Sequence, residues 1–127
     1  MKRDMDLCRK ILFAIEDQYE DSDIINLQVE GYRTAQVVYH CKLLEDAGLI
    51  ENYYDSYGDD ELEFFCVGAL TWEGHEYLDK IRSDTVWNQT KEVITKKGLP
   101  MVLDTIKQVA TAVISSMTEG AITAMLK

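Results

Sequence analysis

The stretch from Thr34 to Leu70 limits the possible folds more than any other part of the chain. Val37, Cys41, Leu44 and Ala47 recur at three- and four-residue steps, the spacing of one apolar helix face. The next residues read Gly48-Leu49-Ile50. Gly48 is placed to end the helix as a left-handed C′ residue. No linker follows. Leu49 to Tyr54 reads as a strand, Asp55-Ser56-Tyr57-Gly58-Asp59-Asp60 as a turn, and Leu62 to Leu70 as a second strand. A helix therefore delivers the chain straight into a hairpin with a long acidic tip.

The flanking segments complete the pattern. Asp4 is placed to cap a first helix running to about Tyr19, with Met5, Cys8, Ile11, Leu12, Ile15 and Tyr19 on one stripe. Ile25, Leu27 and Val29 alternate with polar residues, as in a short half-buried strand, and Gly31 turns the chain towards Thr34. Thr71 is expected to cap a helix to about Arg82 with Leu78 and Ile81 inward. Gly74, in its first turn, permits close packing against a neighbour. Ser83-Asp84 re-caps a helix over Trp87 to Lys97, stopped by Gly98 and Pro100. Met101 to Lys127 reads as helical throughout.

The order helix, strand, helix, hairpin, helix predicts an α+β winged helix-turn-helix-like domain over residues 1–84. Residues 85–127 form a C-terminal helical extension. Val37-Val38-Tyr39-His40-Cys41-Lys42-Leu43-Leu44-Glu45-Asp46-Ala47-Gly48-Leu49-Ile50 resembles the recognition helix of arsenic-repressor-like regulators. A wider resemblance reaches almost to Trp87. Its anchors are Met1 to Leu12, Glu30-Gly31-Tyr32, Tyr39-His40, and above all Leu70-Thr71-Trp72-Glu73-Gly74-His75-Glu76-Tyr77-Leu78-Asp79-Lys80-Ile81-Arg82. These are similar to an uncharacterised family, a domain of unknown function, of small winged-helix-like proteins from bacteria, phages and prophages. The resemblance implies a fold and a mobile-element setting. It brings no activity and no functional residues.

Charge sharpens the choice of partner. The net charge is −10, unevenly spread: residues 1–86 hold 8 basic and 20 acidic residues, −12, whereas 87–127 hold 5 and 3, +2. A protein that coats nucleic acid is normally basic on the contacting face, so this balance disfavours DNA without excluding it. Met1-Lys2-Arg3-Asp4 lacks the apolar run of a signal peptide, and no run of about 18 consecutive apolar residues suggests a membrane span. Cys8, Cys41 and Cys66 form no C-x-x-C pair and sit in apolar patterns, as expected of reduced thiols in a cytoplasmic protein.

Four candidate sites follow. On the second helix, Arg33, Gln36, Tyr39 and Lys42 face away from the apolar stripe, where a recognition helix would read bases and hold phosphates. Glu45 and Asp46 close that face. The stretch between the first strand and Thr34 is too short for the usual preceding helix. Second, Asp55, Asp59, Asp60 and Glu61 put like charge where a DNA-binding wing carries Lys or Arg. Such carboxylates suit an inhibitor that imitates phosphate spacing on a host nucleic-acid-binding or defence protein.

Third, catalysis finds no support, and the expectation is a non-enzyme with no catalytic residues, metal or cofactor. His40 and Cys41 are adjacent on a helix and point about 100° apart. His75 has no histidine four residues on, and no phosphate-binding, nucleophile-elbow or EF-hand motif occurs. Both histidines read as helix-packing or surface residues. Fourth, Leu103, Ile106, Ala110, Val113, Met117, Gly120 and Ala124 form a stripe on the last helix. That helix spans about 39 Å, against a radius of gyration near 12 Å for the first domain. The excess length points to a homodimer through this helix, with a protein partner elsewhere.

Overall fold

The computed structural model describes residues 1–126 of the 127. The chain is α+β, with the order α1 Met5–Gln18, β1 Ile24–Ile25, α2 Thr34–Asp46, β2 Tyr53–Gly58, β3 Glu61–Val67, α3 Trp72–Ile81, α4 Asp84–Lys96 and α5 Leu103–Leu126. It forms two compact units, Met1–Leu78 and Asp79–Lys127, which divide within α3 rather than after Asp84.

In the first unit, local signals place the helices. The Asp4 carboxylate accepts from the Leu7 N–H at 3.1 Å and starts α1. Leu7, Cys8, Ile11, Leu12 and Ile15 are buried along its stripe. At the end of α2, Gly48 takes φ +75°. Its N–H bonds to the Glu45 carbonyl and that of Leu49 to the Leu44 carbonyl, both at 2.9 Å, the paired bonds of a Schellman end. Val37, Val38, His40, Cys41 and Leu44 are buried on α2. Ala47, expected on that face, is exposed because the helix has already turned out at its cap.

The sheet is antiparallel with order β1-β3-β2. Its hairpin differs from the sequence expectation. Asp55, Ser56 and Tyr57 lie inside β2, opposite Phe65, Phe64 and Leu62, and the turn is Asp59-Asp60 alone. Both turn residues have positive φ, +53° and +63°, as a two-residue type I′ loop requires. The register slips between Ser56 and Tyr57. The strand after α2 begins at Tyr53 rather than Leu49, because Leu49 and Ile50 close the base of the hairpin. Ile50 bridges Leu70, and the Leu49 carbonyl accepts from the Thr71 N–H at 3.0 Å. β1 is also shorter than its alternation suggests. Asn26, at φ +53°, ends it, which leaves Leu27 buried but Ile25 67% exposed.

Thr71 caps α3 as expected, its Oγ1 accepting from the Gly74 N–H at 3.0 Å and donating to the Gly48 carbonyl at 2.5 Å. Gly74 lies against the Leu49 carbonyl: a Cβ there would sit 2.0 Å from that oxygen. The start of α3 is thus sewn to the end of α2 through backbone groups that admit no side chain.

In the second unit, the Ser83 hydroxyl oxygen accepts from the Val86 N–H at 3.3 Å and caps α4, which begins at Asp84, ahead of the expected start at Trp87. Gly98, at φ +65°, closes α4 with a second Schellman pair, from the Gly98 N–H to Thr95 and from the Leu99 N–H to Ile94. The short connection returns α5 alongside α4, as in an αα-hairpin. Ile94, Ile106 and Ala110 are buried. Met101 and Val102 precede α5 rather than belonging to it, and Lys127 lies outside the described residues. Leu103–Leu126 is long and apolar enough, by length and composition, to cross a membrane. It lacks an uninterrupted apolar run, because after Lys107 the residues Gln108 and Gly120, several Ser and Thr and a single charge, Glu119, break the pattern.

Candidate functional site

The outer face of α2 and the neighbouring hairpin hold the residues that sequence reasoning singled out. Arg33 is exposed at the start of α2. Gln36 is spent locally: its Oε1 accepts from the Arg33 N–H at 2.9 Å. Its carbonyl accepts from His40 Nδ1 at 2.7 Å. The other ring nitrogen of His40, Nε2, accepts from the Asp4 N–H at 2.8 Å. Those partners fix the Nδ1–H tautomer and tie the cap of α1 to the middle of α2. His40 is buried and structural, and Tyr39 packs edge-on against it at 5.6 Å between centroids.

Lys42 does not stand free to meet a phosphate. Its Nζ is 3.2 Å from Asp55 Oδ2 and lies 5.6 Å from the centre of the Tyr53 ring. The Tyr53 hydroxyl donates to the same carboxylate oxygen at 2.7 Å. That hydrogen bond, with Lys42 beside it, holds the Asp55 carboxyl below its ordinary range. Burial first, then the Asp55 carboxylate, push the Tyr53 hydroxyl up, so it stays a donor. Glu45 is engaged too: its Oε2 accepts from the Tyr53 N–H at 2.6 Å, covering an otherwise open donor on the edge strand β2.

Asp55, in the middle of β2, therefore belongs to a part-exposed triad with Tyr53 and Lys42 and not to the acidic tip. Asp59, Asp60 and Glu61 alone occupy the tip, all exposed. Between α2 and the hairpin lies a largely apolar groove of about 430 Å³, lined by Val38, Tyr39, Lys42, Tyr57 and Leu62 with Met1 at its end. Tyr39 and Lys42 were anticipated from sequence. Tyr57 and Leu62 were not, because one was read as turn and the other as ordinary strand core. Their signal was the odd-numbered series Tyr53, Asp55, Tyr57, which only a longer β2 places on one face. The other face of the hairpin shows Tyr54 and Phe64, rings 5.9 Å apart and both exposed.

On α5, Ile106 and Ala110 are fully buried and Leu103 and Val113 half-buried, whereas Met117, Gly120 and Ala124 are exposed. Cys8 and Cys41 are buried free thiols, and burial pushes each up to about 12. Cys66 is half-buried, its Sγ 3.9 Å from Asp23, and desolvation raises it also. Among the described residues, no group of three or more His, Cys, Asp or Glu side chains could hold a metal ion.

Comparison with known proteins returns one family, described as a hypothetical protein (DUF2513), which matches residues 2–100. The match stops in the connection ahead of α5. A Haemophilus influenzae protein described as uncharacterized is 47% identical over 119 residues, covering 92% of this chain and 98% of the relative. No solved structure matches.

Proposed function

This chain belongs to the DUF2513 family, and we propose that it is a non-enzymatic, cytoplasmic winged-helix binding protein of phage or prophage origin whose first unit docks a cationic protein. The winged-helix reading is supported by the order α1-β1-α2-β2-β3 and by β1 pairing with β3 on the side away from β2. In that reading α2 is the recognition helix, the hairpin is the wing, and the helix that usually precedes the recognition helix is absent.

One observation carries the choice of protein over DNA. The cation best placed to touch phosphate, Lys42, is held by Asp55 beside an apolar groove, and Gln36 is held by its own helix cap. A DNA-reading face keeps such groups free and surrounds them with positive charge. This face offers Tyr39, Tyr57 and Leu62 for an apolar side chain and Asp59, Asp60 and Glu61 for flanking cations. Residues 1–78 carry 6 basic and 18 acidic residues, −12, which complements a basic partner. The three tip carboxylates are also the part that would imitate phosphates on a host nucleic-acid-binding or defence protein.

The test compares capture of host proteins by the wild type, by Tyr39→Glu with Leu62→Glu, and by Asp59→Asn with Asp60→Asn. A basic protein held by the wild type and lost from both variants supports the reading; capture unchanged in the groove variant refutes it. DNA-linked regulation is the second reading, favoured by Arg33, Gln36, Tyr39 and Lys42 recurring every three residues along α2. It requires duplex binding at low salt that falls steeply as salt rises.

A further inference from the structure

We infer that a second copy of this chain covers the α4–α5 hairpin, the free end of each α5 lying along the groove of the other copy. Three observations within the second unit converge. A largely apolar groove of about 480 Å³ runs beside α4 and α5, lined by Val93 and Leu99 on one side and Val109, Ala112, Ser116 and Met117 on the other. Beyond it, Ser115–Leu126 is exposed at every position, with Ile122 51%, Met125 84% and Leu126 83% exposed. Ala112, Ser116, Gly120 and Ala124 make a row of small residues at four-residue steps, all exposed, and a Cβ on Gly120 would meet nothing within 4 Å. Such a row lets a second helix approach closely.

The groove and the free end need covering, and both lie on one helix. A two-fold axis sets each opposite its complement and closes the assembly. The area is adequate: a face two helices wide, about 20 Å, along the roughly 20 Å of α4, with about 16 Å of α5 alone beyond it, approaches ~1,100 Å² for two copies, above the ~1,000 Å² a specific interface needs. Charge fits a second copy: among the described residues the one charged side chain lining the groove is Lys97 and the one on the free end is Glu119, opposite in sign. A bilayer fits less well. The exposed end spans about 18 Å, short of the ~30 Å hydrocarbon core. Inserting all of α5 would carry in α4, with its Glu92–Lys96 ion pair.

Sedimentation velocity on the full chain, taken to about 100 µM, reads the outcome directly. The expected mass is twice the 14.6 kDa of one chain. It should fall to one chain in Ala112→Glu with Ser116→Glu, and independently in Gly120→Leu, with helical circular dichroism retained. The changed positions are exposed, so the fold tolerates them. A wild type that stays at one chain's mass overturns the inference, as does a dimer that survives both variants. A single-chain protein that floats with phosphatidylglycerol vesicles overturns it in favour of lipid.

Discussion

Replacing Gly74 with alanine should destabilise the first unit, although alanine is the better helix former. Gly74 lies in the first turn of α3, and in an isolated helix the change would gain up to about 1 kcal/mol. Here the new methyl would stand 2.0 Å from the Leu49 carbonyl oxygen and 3.0 Å from its carbon. That oxygen cannot withdraw freely, since it accepts from the Thr71 N–H at 3.0 Å. Relief requires α3 to move by more than an ångström relative to the end of α2, straining the cap in which Thr71 Oγ1 serves both Gly74 and Gly48. Overpacking of flexible side chains costs about 1–3 kcal/mol, and a backbone neighbour belongs at the upper end. Net of propensity, the loss is about 2 kcal/mol, or roughly 8 °C in Tm. Urea unfolding followed by near- and far-UV circular dichroism measures it. His75→Ala, one residue along and exposed, should instead be neutral or stabilising by a few tenths of a kcal/mol, ~0.5 at most. If Gly74→Ala is as stable as the wild type, the close approach of α3 to Leu49 is wrong.

Other outcomes follow from the same contacts. Asp60→Gly should stabilise the hairpin by about 0.5–1 kcal/mol, because glycine relieves a left-handed φ of +63° in the turn; an unchanged urea midpoint would contradict it. His40→Ala should cost about 3 kcal/mol, since it leaves the Asp4 N–H without its acceptor and opens a cavity between α1 and α2. Thiol titration at mild alkaline pH should find Cys66 reacting slowly in the native state, and Cys8 and Cys41 only after unfolding. Asp55 is held low in the folded state, so its contribution to stability is present above the ordinary carboxylate range near ~4 and is lost as pH falls through the lowered value. Asp55→Asn should flatten that acid limb; an unaltered pH profile would remove the Tyr53–Asp55–Lys42 triad as its source.

What could be read from the sequence were the features decided within a few residues. Asp4, Gly48, Thr71 and Gly98 each announce a helix end because capping is local chemistry. Gly74 in a first turn signals close approach, and the neighbour it admits is the one the fold supplies. The hairpin was harder. Asp55, Ser56 and Gly58 are turn formers by composition, yet pairing with Phe65, Phe64 and Glu61 draws them into a strand. Ile25 looked inward because alternation cannot foresee that Asn26 turns left-handed. The Lys42–Asp55 pair joins a helix to a strand, and no spacing rule foretells it. That pair does most to change the candidate site, converting a basic reading group into part of a triad with Tyr53 and Asp55. The charge split survives on the folded chain, with −12 on residues 1–78 as on 1–86, because the two sets differ by two cations and two acids.

The base of the hairpin has one more consequence. Successive links from Leu49 to Thr71, Ile50 to Leu70, Glu51 to Ala69 and Asn52 to Gly68 close it before β2 begins. A change of length at Asp59-Asp60 therefore leaves this base closed, although the strands next to the turn still face α2 through Tyr57 and Leu62. Doubling the length of a flexible loop costs only about 0.6 kcal/mol in closure entropy. The tip is thus an exchangeable cassette, where relatives can diverge in length and charge, and where a peptide epitope can be inserted while the helical core stays as it is.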